Sequence, residues 1–130
     1  MKHLLTVTAL VEMGAGLALF AAPVIVVHLL LGADLSAEAL PLGRLAGVAL
    51  FALGIACWFA RGNAHSRAAR GLVVGMLFYN FGAVGVLGTA GSQLQTAGMA
   101  LWLAVVLHAV MGIWCVMLLV RKSAQPVEIL

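Results

Sequence analysis

The sequence predicts an all-α integral membrane protein, an up-down bundle of four transmembrane helices with both termini cytoplasmic. Three observations carry that prediction. The composition is 65% hydrophobic and 8% charged, against roughly 25% charged in soluble domains. Four apolar stretches, residues 4–31, 42–60, 71–90 and 99–120, each approach or exceed the roughly 20 residues that carry a helix across a hydrocarbon core. The basic residues gather on one side of the resulting topology. At 130 residues the chain has room for one compact unit. A water-soluble globule is excluded. The formal charge of +3 reflects topology, so membrane lipid is the expected partner and nucleic acid is not.

The first stretch begins like a signal peptide, with Met1-Lys2-His3 ahead of an apolar run and Ala21-Ala22-Pro23. Glu12 interrupts the would-be apolar core, and the run continues through residues 24–31, past any cleavage site, so it reads as a retained helix. It is too long to stand upright and must tilt, or bend at Pro23. The connections that follow, residues 32–41, 61–70 and 91–98, are short, so consecutive helices should pack as antiparallel neighbours. Residues 121–130, which include Pro126, read as a short cytoplasmic tail.

Orientation comes from the cations. Lys2, Arg61, Arg67, Arg70, Arg121 and Lys122 all fall on one side, leaving only Arg44 beside Asp34 and Glu38 on the other. In a bacterium this places the chain in the inner membrane with its N and C termini in the cytoplasm. Trp58 and Trp102 sit where interfacial aromatic belts are expected.

Small residues supply the close approach that membrane helices need. The third stretch carries Gly71 and Gly75 at GxxxG spacing and then Gly82, Gly85 and Gly88; the second carries Gly43, Gly47 and Gly54. Intramolecular packing is the expected use, ahead of a homo-oligomer interface. Two short matches suggest a duplicated helical hairpin: Glu12-Met-Gly-Ala with Asn80-Phe-Gly-Ala, and Gly54-Ile-Ala-Cys57 with Gly112-Ile-Trp-Cys115. They occur in the same order on helices of matching direction, as expected for two repeats about an axis along the membrane normal.

Glu12 is the residue that a membrane span least tolerates, since a carboxylate at depth needs a partner, a wet cavity or a proton. At 1.5 Å per residue, Glu12 lies roughly 12 Å in from the cytoplasmic end, Asn80 roughly 14 Å and His108 roughly 18 Å. Three polar side chains on three helices thus fall within one or two turns of depth. Thr8, one turn before Glu12, adds a hydroxyl, and Tyr79 neighbours Asn80. The expected cluster Glu12–Asn80–His108, with Tyr79 and Thr8, has two readings: structural glue between helices, or a site that handles a proton or a ligand. His28 and Arg44 form a second group at the outer interface, where Arg44 would snorkel or meet Asp34 or Glu38.

Other chemistries find little support. Cys57 and Cys115 form no CxxC and read as buried small hydrophobes. Haem would need two axial histidines, yet His28 and His108 differ in depth by roughly 9 Å. The scattered methionines form no copper-binding cluster. No metal site, cofactor or catalytic residue is predicted. Any enzymatic role would have to run through Glu12 or His108.

Glu12-x-Gly-x-Gly, Ala22-Pro23, the Leu-Leu-Leu-Gly turn at 29–32 and Gly43-Arg44-x-x-Gly47 together resemble the small, largely uncharacterised bacterial inner-membrane proteins grouped with DoxX-like families. The resemblance spans nearly the whole chain. It implies a four-helix bundle with an accessory role, and it carries no catalytic residues. Glu12 also matches, as an analogy of site, the glutamate in the first helix of small multidrug-resistance transporters, where substrate and proton compete. Their aromatic pattern in the third helix is missing here, and the basic asymmetry opposes the dual-topology assembly some of them use. Two expectations follow. One is a non-enzymatic accessory subunit or binder of lipid or a small hydrophobic ligand, alone, as a homo-oligomer or within a larger membrane complex. The alternative is a proton-coupled small-solute transporter using Glu12.

Overall fold

A computed structural model describes residues 1–123 of the chain, with side chains to Arg121; the expected tail from residue 124 onward lies outside the described residues. Among these the chain is all-helical, with five α-helices: α1 (Lys2–Ala21), α2 (Pro23–Leu31), α3 (Leu40–Ala60), α4 (Arg67–Gln93) and α5 (Met99–Ser123). Four spans, Lys2–Ala21, Ala37–Asn63, Arg67–Gln93 and Met99–Arg121, are long and apolar enough to cross a membrane. Much of their outer surface is bare hydrocarbon: Leu42, Phe59, Phe78 and Val86 are each 68% or more exposed. α5 runs through Arg121 to Ser123, so the helix continues past residue 120, where the tail was expected to begin.

The first apolar stretch is two helices. Ala22 adopts φ −137° and ψ 59°, which interrupts the helix. Pro23 restarts it at a position where its missing N–H is not needed. α2 ends at Gly32, whose φ of +63° is a left-handed conformation open to glycine. There the Gly32 amide donates to the His28 carbonyl at 2.8 Å. α4 begins behind Ser66, whose hydroxyl accepts from the Ala69 amide at 3.1 Å, a side-chain N-cap. α3 ends with the Arg61 guanidinium stacked on Trp58, 3.2 Å from the ring centroid.

The helices pair as two antiparallel hairpins, α1 against α3 and α4 against α5, with sparser contact between the pairs. The α1–α3 seam is backbone against backbone. A Cβ on Gly16 would stand 2.5 Å from the Phe51 amide nitrogen, and one on Gly47 would stand 2.5 Å from that of Phe20. Gly43 and Gly54 face Pro23 and Met13 in the same seam.

The glycines of α4 behave differently from expectation. A Cβ on Gly71, Gly75, Gly82, Gly85 or Gly88 would meet nothing within 4 Å. Within this chain they make no close helix approach, because α4 buries another face, through Ala69, Val73, Met76 and Asn80. On α5 a small residue facing α4 is Gly112, where a Cβ would stand 3.5 Å from the Phe81 ring.

The two hairpins also place their matched residues alike. Gly54 faces Met13, which follows Glu12, and Gly112 faces Phe81, which follows Asn80. Cys57 and Cys115 are both fully buried in the core.

The main buried cluster lies at one end of the bundle, and Leu101, also fully buried, stands apart from it near the other. Leu4, Leu5, Ala9, Cys57, Ala64, Ala69, Val73, Met76, Met111 and Cys115 form one buried cluster. They come from the start of α1, the end of α3, the start of α4 and the second half of α5. We call this the near end. The far end is tied by its loops: the Thr96 hydroxyl donates to the Leu31 carbonyl at 2.9 Å, and the Gly98 amide to that of Leu30 at 3.2 Å.

Candidate functional site: a cavity with a polar floor

Between the packed near end and the tied far end the bundle is hollow. A cavity of about 800 Å³ lies among α1, α2, α4 and α5, with Leu50 of α3. Such a volume is within the range of small-molecule sites, roughly 300–1,000 Å³. Two features of the chain keep it open. The break at Ala22 ends α1 and starts a separate α2, and the facing positions Ala15, Ala18, Gly82, Ala83, Ala100 and Ala104 are too small to fill the gap. Phe78 and Val86 line the cavity and are also 74% and 69% exposed, so it opens to the surroundings along α4.

Of the twenty lining residues only Glu12, Tyr79 and His108 have polar side chains. They sit at its near-end limit: the lining begins at Val11 and Glu12 on α1, begins at Phe78 and Tyr79 on α4, and stops at His108 on α5. The polar groups therefore form a floor directly above the packed core. From that floor to Leu87 or Ala100 is about eight residues on either helix, a depth of about 12 Å.

The floor is organised as two bonded pairs. The Tyr79 hydroxyl donates to Glu12 Oε2 at 3.2 Å, bridging α4 to α1. Asn80 Nδ2 donates to the Met76 carbonyl at 2.7 Å. That bond fixes the amide orientation, so Asn80 Oδ1 is the acceptor toward His108 Nδ1 at 2.9 Å. The Tyr79 and His108 rings meet edge to face at 5.5 Å and join the pairs. Among the described residues Glu12 forms no ion pair. Its bonded partner is Tyr79, and His108 is bonded to Asn80, in place of the single Glu12–Asn80–His108 cluster expected from depth.

Glu12, Asn80 and Thr8 are the buried polar or charged residues among those described, at 3%, 2% and 1% exposure. Thr8 Oγ1 has no hydrogen-bond partner. At the outer group Asp34 meets His28, Nδ1 to Oδ1 at 3.4 Å on the surface, and Arg44 stands exposed on α3. No group of three or more potential metal ligands occurs among the described residues.

Sequence reasoning missed most of the lining. Its alanines and valines look like ordinary membrane-helix residues, and the one usable signal was Ala22-Pro23, which places a break inside an overlong span. The sequence matches no protein-family model, and neither the curated proteins nor the solved structures compared with it yield a match.

Proposed function

We propose that this chain is a non-enzymatic protein of a bacterial inner membrane that binds a small hydrophobic ligand or lipid, as an accessory subunit or an independent binder. The observation that carries the reading is the cavity of about 800 Å³, apolar but for Glu12, Tyr79 and His108 at one end. An apolar pocket with a few converging polar groups is the usual form of a small-molecule site. The four long apolar helices and the one-sided cations support inner-membrane insertion with cytoplasmic termini. They also agree with kinship to DoxX-like bundles. The matched positions of Gly54 and Gly112 favour an origin by hairpin duplication.

The test is saturable, site-mapped labelling of the purified protein in lipid nanodiscs by a photoreactive alkyl probe. Labels should map to the lining positions Ala83, Leu87 and Ala104. Gly82→Phe, whose side chain would enter the cavity from a position free of contacts, should abolish them while leaving the helical spectrum intact. Labelling spread evenly over lipid-facing residues such as Phe59 and Val110 would refute the reading.

Proton-coupled transport through Glu12 is the second reading, favoured by the carboxylate's place where cavity and core meet. Glu12→Gln separates the two. Loss of pH-dependent uptake into proteoliposomes with the fold kept supports a carrier, and the absence of uptake by the wild-type protein removes it.

A further inference from the structure

The hydrogen bonds at the cavity floor specify the head of the ligand, given that the cavity binds one. Three side chains there donate hydrogen bonds within the protein. The Tyr79 hydroxyl is given to Glu12, the Asn80 amide to the Met76 carbonyl, and the proton on His108 Nδ1 to Asn80 Oδ1. A neutral imidazole that donates through Nδ1 keeps Nε2 as a bare acceptor. A carboxylate holding one hydroxyl on Oε2 has acceptor capacity left on both oxygens. His108 and Glu12 both line the cavity, so with Glu12 as the carboxylate the lining side chains of the floor offer acceptors and no free donor.

We propose that this cavity selects slim amphipaths whose head donates hydrogen bonds, namely alcohols or primary amines on an apolar body. An O–H or N–H head meets the acceptors of Glu12 and His108. A ketone, ester or ether finds no donor. Leaving such a head unpaired in an apolar site is what rejects it, since sites built on hydrogen bonds discriminate strongly against analogues that lack the matching group.

Geometry narrows the class further. The head sits at the floor, about 12 Å below the far limit of the cavity, while the apolar body extends toward the far end past Ala83, Val86 and Leu87. A phospholipid holds its bulky head at the interface and cannot place it there. Tyr79 and Phe78, both in the lining, add ring faces that favour an ammonium when the head is an amine.

The test uses the full chain in nanodiscs and a diazirine-bearing alkyl primary alcohol as the photoreactive probe. Unlabelled competitors share one chain length and carry as head a hydroxyl, a primary amine or a methyl ketone. The expected result is that alcohol or amine displaces the probe at concentrations at least tenfold below those of the ketone. A lead for the amine assigns the ligand to the amines, and a lead for the alcohol assigns it to the alcohols. Equal displacement by ketone and alcohol overturns the proposal while leaving a hydrophobic binder in place. Absence of any saturable, Gly82→Phe-sensitive labelling, with this probe and with its methyl-ketone counterpart, overturns the binding reading itself. Glu12→Leu adds a check that a structural role would not imitate: the preference for donor heads should fall below tenfold, with His108 the acceptor that remains.

Discussion

Gly47→Ala and Gly75→Ala are the same chemical change on neighbouring spans, and the structure assigns them opposite signs. On α3, a new Cβ at Gly47 stands 2.5 Å from the Phe20 amide nitrogen and 2.7 Å from the Gly16 carbonyl oxygen. Both are backbone atoms and cannot swing aside, so α1 and α3 must part along the seam. Forcing a methyl into a packed contact costs about 1–3 kcal/mol. Helix association in lipid rests on close packing, with no hydrophobic drive to restore it. On α4, a Cβ at Gly75 meets nothing within 4 Å, and the gain in helix propensity is about 1 kcal/mol. Gly47 lies inside a helix too and shares that gain, so the two variants should differ by about 1–3 kcal/mol. Unfolding in mixed micelles with rising dodecyl sulfate, followed by circular dichroism, reads that difference. Gly47→Ala should unfold at lower detergent fraction and Gly75→Ala at equal or higher fraction than the native chain. If Gly75→Ala weakens the isolated monomer as much as Gly47→Ala does, the α4 glycines are packed and the helix pairing described here is wrong.

Three further outcomes follow from individual bonds. Thr8→Val removes a buried hydroxyl that has no partner, so it should be neutral or stabilising by up to about 1 kcal/mol in the same unfolding assay; a clear loss of stability would mean that the hydroxyl is bound. Asn80→Leu strips the acceptor from His108 Nδ1 and should cost about 1–3 kcal/mol. Adding His108→Leu should recover part of that loss, a non-additivity that a double-mutant cycle measures. Gly32→Ala meets both a φ of +63° and the Thr96 carbonyl, so it should cost at least about 1–2 kcal/mol and speed hydrogen exchange at the Gly98 amide.

The helices were legible because membrane spans are written in composition and length, and neither needs tertiary context. The kink was legible too, since Pro23 sits inside a span too long to stand straight. Depth along a helix was legible from residue count and brought Glu12, Tyr79, Asn80 and His108 to one level. Angle around the helix axis was not. Which face of α4 turns inward decides whether Gly75 packs or stands free, and a helix with glycines on several faces gives no amphipathic stripe to read it from. The same loss of angular information hid the partner exchange at the floor, where Tyr79 takes Glu12 and Asn80 takes His108. At the outer edge a choice of partner was equally invisible: Asp34 had Arg44 and His28 within reach in sequence, and the αL turn at Gly32 brings it to His28.

The division of the bundle into a solid near end and a hollow far end bears on the choice between binder and carrier. A carrier must open its site alternately to both sides. Toward the near end the way is filled by Leu4, Leu5, Val73, Met76 and Met111, drawn from both hairpins, so near-end opening requires the hairpins to separate through the whole core. Toward the far end the α4–α5 connection is held to the end of α2 by two hydrogen bonds and by the close seat of Gly32 against Thr96. Opening there breaks two hydrogen bonds, about 0.5–1.5 kcal/mol each, together with the packing of α2 on α5. The sideways opening along α4, marked by the exposed Phe78 and Val86, asks for nothing at all. A molecule already dissolved in the bilayer can enter by that route and leave by it. On the proposed reading this geometry favours exchange with the membrane interior over passage across it, with Glu12 at the near-end limit of the cavity.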